Sequence, residues 1–313
     1  MTLVTRLLQA HEISDADRVF RLAFGTFLGL PNPQDFMGDA TYLEHRWHMD
    51  PSAAFAAEKA GRLVGSNVAV CWGSFGFFGP LSVHPDLWDH SIGQKLVAAV
   101  VDRLDEWGVT HAGLFTFARS PKHHALYQKF DFWPQHLTVV LAKAIAPGQT
   151  LADEARYTRL SEDQQAEALA AARALTHGLY DGLDLSREIE AIAAHNLGEV
   201  VLLWDEAGLA GFAVCHCGPQ TEAGSDTCYI KFAAVRSGPQ ASQNFDRLVQ
   251  QCEALASAEN LTKLSAGVNT ARVQAYRQML AAGYRVELVG VAMERLPRSG
   301  HNRPEVFALD DWR

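Results

Sequence analysis

No stretch of 18 apolar residues occurs in this 313-residue chain, so no membrane-spanning helix is expected. The amino terminus, Met-Thr-Leu-Val-Thr-Arg, lacks the apolar run of a secretory leader, and a cytoplasmic location is the expectation. Lys and Arg form no basic block, and the formal net charge is −9. Nucleic acid and an anionic membrane surface are therefore poor candidates for the main partner. Cysteine is sparse: Cys71, Cys215, Cys217, Cys228 and Cys252 are odd in number and match no metal-framework spacing. Cys215 and Cys217 share one face of a strand, which is poor geometry for a mutual disulfide, so five free thiols are expected. Histidines are numerous but bring no ligand set. His123 and His124 are adjacent, and His45 and His48 have no third partner in register, so no metal is expected. A Gly-x-Gly-x-x-Gly run after an early strand is also missing, which argues against a dinucleotide-dependent oxidoreductase.

What is present is a chain that is 48% hydrophobic and longer than one ordinary domain. Strands are expected at 3–7, 55–59, 63–71, 77–83, 113–117 and 137–142. Helices are expected from Ser14, over 41–48, after Ser91 to Trp107-Gly108, and over 123–129, with loop at 25–40. Pro85 should end the fourth strand, because it cannot donate a ladder bond. Pro147-Gly148-Gln149-Thr150 reads as a linker. The order then restarts: a strand-like 157–160, a capping box at Ser161/Gln164 opening a helix to about His177, and a hairpin of 200–204 with 210–217. A strand at 229–235, helix 245–256, strand 264–268, helix 272–281 and strand 286–293 follow. The halves share one order of elements, as duplication of a whole domain produces. The expected division is 1–146, a linker at 147–154, and 155–313.

Residues 83–96, Val-His-Pro-Asp-Leu-Trp-Asp-His-Ser-Ile-Gly-Gln-Lys-Leu, run from a strand through a loop into a helix. Open N–H groups at such a helix start hold phosphate. Trp88, Asp89, His90, Ser91, Ile92 and Gly93 occupy the six positions of the Gln/Arg-x-x-Gly-x-Gly/Ala signature, with Ser91 in place of the first glycine and Trp88 in place of Gln or Arg. Ser120, His123, Tyr127 and Asp131-Phe132 follow the pattern Asn, Ala, Tyr, Gly-Phe, with Asp131 where glycine is usual. In these motifs the chain resembles the Gcn5-related N-acetyltransferase (GNAT) superfamily, strongly over 77–132 and weakly elsewhere. The resemblance implies an α/β (α+β) protein of two tandem acyl-CoA N-acyltransferase folds, each with a mixed, mainly antiparallel sheet flanked by helices. In the second half, Phe245 falls where the first has Gly93, and Asn269, Arg272, Tyr276 and Gly283-Tyr284 echo the second motif. That half is therefore expected to have lost its cofactor loop.

The resemblance further implies acetyl-CoA as co-substrate, no metal, and direct transfer of acetyl to a primary amine through a tetrahedral intermediate. Residues expected at the coenzyme are Leu81, Ser82 and Val83 on the strand, Trp88 to Gln94 in the loop, and Ser120, His123 and His124 at the next helix start. Tyr127 would protonate the leaving thiolate, since its phenol carries a proton at neutral pH. Candidate bases are Glu44, which shares a helix face with His48, and His84 beside the strand. Ser91 is also expected to cap the helix. Acidic residues Asp35, Asp39, Glu44 and Asp50 hint at a cationic acceptor, but the acceptor, a small-molecule amine or a peptide or protein amine, stays open. A fused pseudo-dimer points to a monomer, with a homodimer as the alternative. The substitutions at Trp88, Ser91 and Asp131 keep two rivals in view: a non-catalytic acyl-CoA-binding or sensing protein of the same fold, and a structural module.

Overall fold

Each half contains a hairpin, Ala54–Lys59 with Arg62–Trp72 in the first and Gly198–Asp205 with Gly208–Cys217 in the second. β1 (Leu3–Leu7) pairs antiparallel with β2 (Ala54–Lys59), and β2 with β3 (Arg62–Trp72). Ala60 and Gly61 between them both lie at positive φ (54° and 73°), the geometry of a two-residue hairpin that follows strand twist. The computed structural model describes residues 3–295 and 300–313.

Between β1 and β2 lies α1 (Ile13–Leu28), followed by α2 (Leu43–Met49). Helical turns begin at Ala10 rather than at Ser14. The Glu12 carboxylate fixes this start, accepting from the Gln9 N–H at 3.1 Å and from Arg6 at 2.6 and 2.7 Å. α1 runs past residue 25, expected as loop, and stops at Gly29 in the left-handed region (φ 72°). The single strand expected at 77–83 is two: β4 (Phe75–Phe78) and β5 (Ser82–Val83). Pro80 between them has no N–H to give to a ladder. Then come α3 (Ile92–Glu106), β6 (His111–Phe117), α4 (Pro121–Gln128) and β7 (Phe132–Ala144).

In the second half the capping box holds: the Ser161 hydroxyl and Gln164 satisfy each other's backbone N–H groups at the start of α5 (Glu162–Leu179). Residues 157–159, expected as strand, form a 3₁₀ turn. α6 (Ser186–His195) was not expected. β8 (Gly198–Asp205), β9 (Gly208–Cys217), β10 (Thr227–Val235), α7 (Ala241–Ala258), β11 (Lys263–Asn269), α8 (Val273–Ala281) and β12 (Arg285–Arg295) follow, and a short β13 (Ala308–Leu309) closes the chain.

The strands form one continuous mixed sheet, in the order β1-β2-β3-β4-β6-β12-β7-β11-β10-β9-β8, and not the two sheets expected. The reason is an exchange. β12 inserts between β6 and β7, and β7 pairs with β11. One apolar core crosses both halves: Trp72, Phe75 and Phe77 pack with Leu179, Ile189, Phe212 and Phe232. The result is a mixed α/β fold with helices flanking the sheet. All five cysteines are free thiols. Cys217 faces Cys228 at 3.8 Å and Cys215 faces Cys252 at 3.9 Å. Among the described residues, no helix is long and apolar enough to cross a membrane.

The last segment returns to the middle of the sheet. Gly113 and Gly267 make room for it: a Cβ on Gly113 would lie 2.7 Å from the Trp312 ring, and one on Gly267 would lie 2.2 Å from Asp311 Cβ.

Candidate active site

The site begins where two parallel strands part. β4 pairs with β6 only from Phe75 to Phe77, opposite His111 to Gly113. Beyond that, β6 stays with β12, while β5 swings to β3, pairing Val83 with Gly65 and Ser82 with Ser66. Gly65 permits this approach, because a Cβ there would meet the Ser82 carbonyl at 2.6 Å. The split opens a cavity of about 590 Å³, lined by Phe78 to Leu81 and Val83 on one side and Phe115 to Phe117 on the other. Following Pro80, the Leu81 N–H meets no backbone acceptor among the described residues.

At one end of the cavity stands the start of α3. Asp89 (φ 66°) and Ser91 (φ 59°) are both left-handed, which curls the backbone into a concave run of amides. The Leu87 and Trp88 N–H groups close the preceding turn, and the Lys95 N–H bonds the Ser91 carbonyl. Among the described residues, the six amides from Asp89 to Gln94 have no acceptor. Ser91 therefore does not cap the helix with its side chain as expected; its contribution is its backbone angle. Six unfilled donors at the positive end of a helix dipole suit an anion such as a diphosphate. Lys122 stands over them, 2.8 Å from Asp89 Oδ1 and 5.4 Å from the centre of the Trp88 ring. The indole N–H of Trp88 donates to the Val83 carbonyl at 2.8 Å, tying the loop to the split strand.

α4 forms the next wall. Ser120 caps it, its hydroxyl accepting from the His123 N–H at 3.4 Å. One turn apart on the cavity side, His123 and Tyr127 have ring centres 6.4 Å apart. Burial pushes the Tyr127 phenol well above its ordinary value, with Thr116 beside it acting in the opposite sense, so the phenol keeps its proton at any ordinary pH. Burial, then Lys122 and His124, lower the His123 imidazole, which is thus held neutral near pH 7. Asp131 takes the glycine position of the second motif by adopting φ 62°, a conformation its short polar side chain tolerates.

The structure gathers Leu81, Val83, Trp88, Asp89, Ser91, Ile92, Gly93, Gln94, His123 and Tyr127 around this one cavity. Other residues expected at the site do not line it. Ser82 is buried with its hydroxyl 3.1 Å from that of Ser66. His90 points outward, Nδ1 on the Trp88 carbonyl. Ser120 is occupied as a cap, and among the described residues the buried His124 Nε2 meets no hydrogen-bond partner. Of the two candidate bases, Glu44 is exposed on α2, and His84 Nδ1 accepts from the Asp86 N–H at 3.4 Å. Among the described residues, no three His, Cys, Asp or Glu side chains converge as metal ligands do.

The aromatic wall of the cavity was not foreseen. Phe20, Phe24 and Phe27 of α1, with Phe36 and Met37, face β6 across it, and Trp312 and Arg313 reach its floor from the other half. The 4-3 spacing of the phenylalanines was a legible signal, hidden by ending α1 too early. Beneath the floor, buried charges join the halves. Arg46 pairs with Glu222 at 2.9 Å, and Lys231 bridges Glu222 (2.8 Å) and Glu188 (3.3 Å). Arg46 also donates to the carbonyls of Gly79 (2.7 Å) and Arg313, holding the corner of the split.

Residues 17–132 match the family model described as the acetyltransferase (GNAT) family. That segment contains the split, the amide run and α4. Among solved structures, the chain is similar to a putative acetyltransferase from Pyrococcus horikoshii, with a TM-score of 0.66 and 15% identity over 99% of this chain and 95% of that one. A GCN5-related N-acetyltransferase from Sphaerobacter thermophilus gives a TM-score of 0.60 and 14% identity over 93% and 95%. A tandem GNAT protein from the clavulanic acid biosynthesis pathway gives 0.57 and 13% over 94% and 98%. At these identities the likeness is one of fold, and the fold is that of GNAT acetyltransferases. No curated protein matches the chain.

Proposed function

We propose that the N-terminal half acetylates a primary amine, using acetyl-CoA, and that the C-terminal half is a second GNAT unit that has lost its coenzyme site. The carrying observation is the run of six unpartnered amides at 89–94, opening onto the cavity in the strand split. This is the donor set that a coenzyme's diphosphate requires, with Lys122 beside it. When bound, the coenzyme supplies an acetyl thioester. The Leu81 N–H is free to donate to an acyl oxygen as charge develops there, in the manner of an oxyanion hole. Tyr127, protonated and buried in the cavity wall, gives its proton to the departing sulfur. His123, neutral and one helical turn away, takes the proton from the attacking amine in place of Glu44 or His84.

The reading divides the chain at 1–146 and 155–313, with the two units exchanging β7 and β12. In the second unit the turn before α7 is partly closed: the Ala241 N–H bonds the Gly238 carbonyl, and Pro239 has no N–H to offer. Phe245 is buried against Phe307, ring centres 5.6 Å apart. β13 lies on β10 at Ala233 and Ala234, along the strand corresponding to β4. The protein's own tail thus occupies the second slot.

Tyr127→Phe tests the acid. Turnover should fall roughly 10²- to 10⁴-fold, with acetyl-CoA affinity unchanged. Full turnover by the variant excludes Tyr127 as the acid. Coenzyme binding without any thiol release from the wild type, across amines of every class, favours the acyl-CoA-binding reading instead.

A further inference from the structure

The geometry points to an acceptor that is a monoamine with an aromatic or comparably apolar body, held against the phenylalanine wall that α1 and β6 give the cavity. This rests on the acetyltransferase reading and specifies its second substrate. Phe24 and Phe36 stack there, ring centres 5.3 Å apart and planes 22° apart, and Phe117 lies 5.1 Å from Phe27 and 6.2 Å from Phe24. Leu288 and Trp312 complete the walls. Aromatic rings at these separations offer edges and faces to a further ring or chain.

Charge decides against the rival acceptors. Among the described residues lining the cavity, Asp89 has the single side-chain carboxylate; it sits at the amide run and is paired with Lys122. The other charged lining side chains, Lys129 and Arg313, are cations, and Arg313 is paired with Asp311 at 3.1 Å. A polyamine, an aminoglycoside or a lysine side chain within a basic peptide would bury ammonium groups with no counter-charge, which is costly. The acidic residues that hinted at a cationic acceptor are elsewhere. Asp39 is bound to Ser225, Asp50 to Ser52, and Asp35 to Asn32, and none of them, nor Glu44, lines the cavity. The same dry walls favour the neutral form of a single amino group, which is the nucleophilic form.

The test uses 2-phenylethylamine, spermidine and Nα-acetyl-lysine as probes with wild-type protein. Binding is read by calorimetry with coenzyme A present and absent, and turnover by thiol release from acetyl-CoA. Phenylethylamine should bind at least tenfold more tightly than either rival and be turned over with at least tenfold greater kcat/KM. Phe24→Asp should shift the preference toward spermidine by tenfold or more. Should that variant fail to fold, Phe36→Ala should raise the KM for phenylethylamine about tenfold and leave acetyl-CoA affinity within twofold. Equal or better use of spermidine or the lysine derivative overturns the assignment, as does an unchanged KM in Phe36→Ala. A tenfold preference for hexanoyl-CoA over acetyl-CoA with a hydrophilic acceptor also overturns it, because the apolar walls would then hold the acyl chain. The two levels fail separately. Phenylethylamine binding without coenzyme binding or thiol release removes acetyl transfer and leaves the apolar-amine site, whereas turnover of polycations alone does the reverse.

Discussion

Replacing Lys231 by methionine should damage the protein in a strongly pH-dependent way. Lys231 is 3% exposed, and its ammonium lies 2.8 Å from Glu222 and 3.3 Å from Glu188, whose side chains are 0% and 1% exposed. With Arg46 on Glu222 and the Trp72 indole N–H on Glu188 (2.9 Å), the cluster holds two cations against two carboxylates. Burial alone would raise Glu222, yet Arg46 and Lys231 outweigh it and hold that carboxyl far below the ordinary range. A depressed carboxylate stabilises the fold above its unfolded pKa, and this stability is lost as pH falls through the depressed value. In Lys231→Met two buried carboxylates share one cation. Removing one partner of a buried pair costs about 3–5 kcal/mol. The Glu188/Glu222 pair should then bind a proton above the ordinary carboxylate range, which reverses the sign. The penalty is full at alkaline pH and shrinks by about 1.4 kcal/mol per pH unit below the raised value. Urea unfolding should show a loss of about 3–5 kcal/mol at pH 8 and about 1 kcal/mol at pH 5. Lys231→Met combined with Glu188→Gln should recover much of the pH 8 loss. A loss under about 1 kcal/mol at pH 8, or the same loss at both pH values, refutes this account of the cluster.

Three further outcomes are expected. Ser91→Gly should stabilise the protein by roughly 0.5–1 kcal/mol, since the left-handed backbone costs an L-residue about 1–2 kcal/mol and glycine's looser unfolded chain returns only part; urea unfolding that shows a loss would mean the Ser91 side chain has a structural role the fold does not reveal. Asp131→Gly, by the same measurement, should gain less. In wild type kcat at saturating amine should fall on acidification only below the ordinary histidine range, because His123 is needed neutral and its pKa is lowered. His123→Gln should lower the kcat plateau about 10²-fold or more and abolish that acid limb, and a retained limb in the kcat profile assigns the base elsewhere. A Cβ at Gly93 would sit 3.6–3.9 Å from Leu126, Val83 and Leu81, without overlap. Gly93→Ala should therefore fold and bind coenzyme, whereas Gly93→Phe should fold with an unchanged melting temperature and lose coenzyme binding in calorimetry.

Local signals carried most of the elements and one end of the site. The hairpin at Ala60-Gly61, the capping box at Ser161/Gln164 and the helix start at Ser91 are written in adjacent residues, and the structure has them where adjacency predicts. Ser91 and Asp131 looked like damage to the motifs, because sequence shows a missing glycine but not whether the replacement can hold a left-handed angle. What lay beyond reach depends on distant pairing. The exchange of β7 and β12 follows from which edges meet, and neither strand carries a mark of its partner. The arrival of Trp312 and Arg313 at the cavity floor is set nearly 200 residues from β6. Strand-internal Gly113 and Gly267 did advertise a close approach, although not by which segment. Glu44 was chosen for its helix face with His48 and the family resemblance, and His84 for its place directly after the strand; neither lines the cavity that Phe24, Phe27 and His123 enclose.

The central claim is that the amides from Asp89 to Gln94 hold the coenzyme and that their counterparts in the second half do not. Titrating acetyl-CoA into ¹⁵N-labelled protein and following backbone amide resonances tests it directly. The account predicts saturable shifts at 89–94 and at Leu81, with residues 237–245 unmoved. Shifts at 237–245, or saturation of binding with residues 89–94 undisturbed, would contradict it.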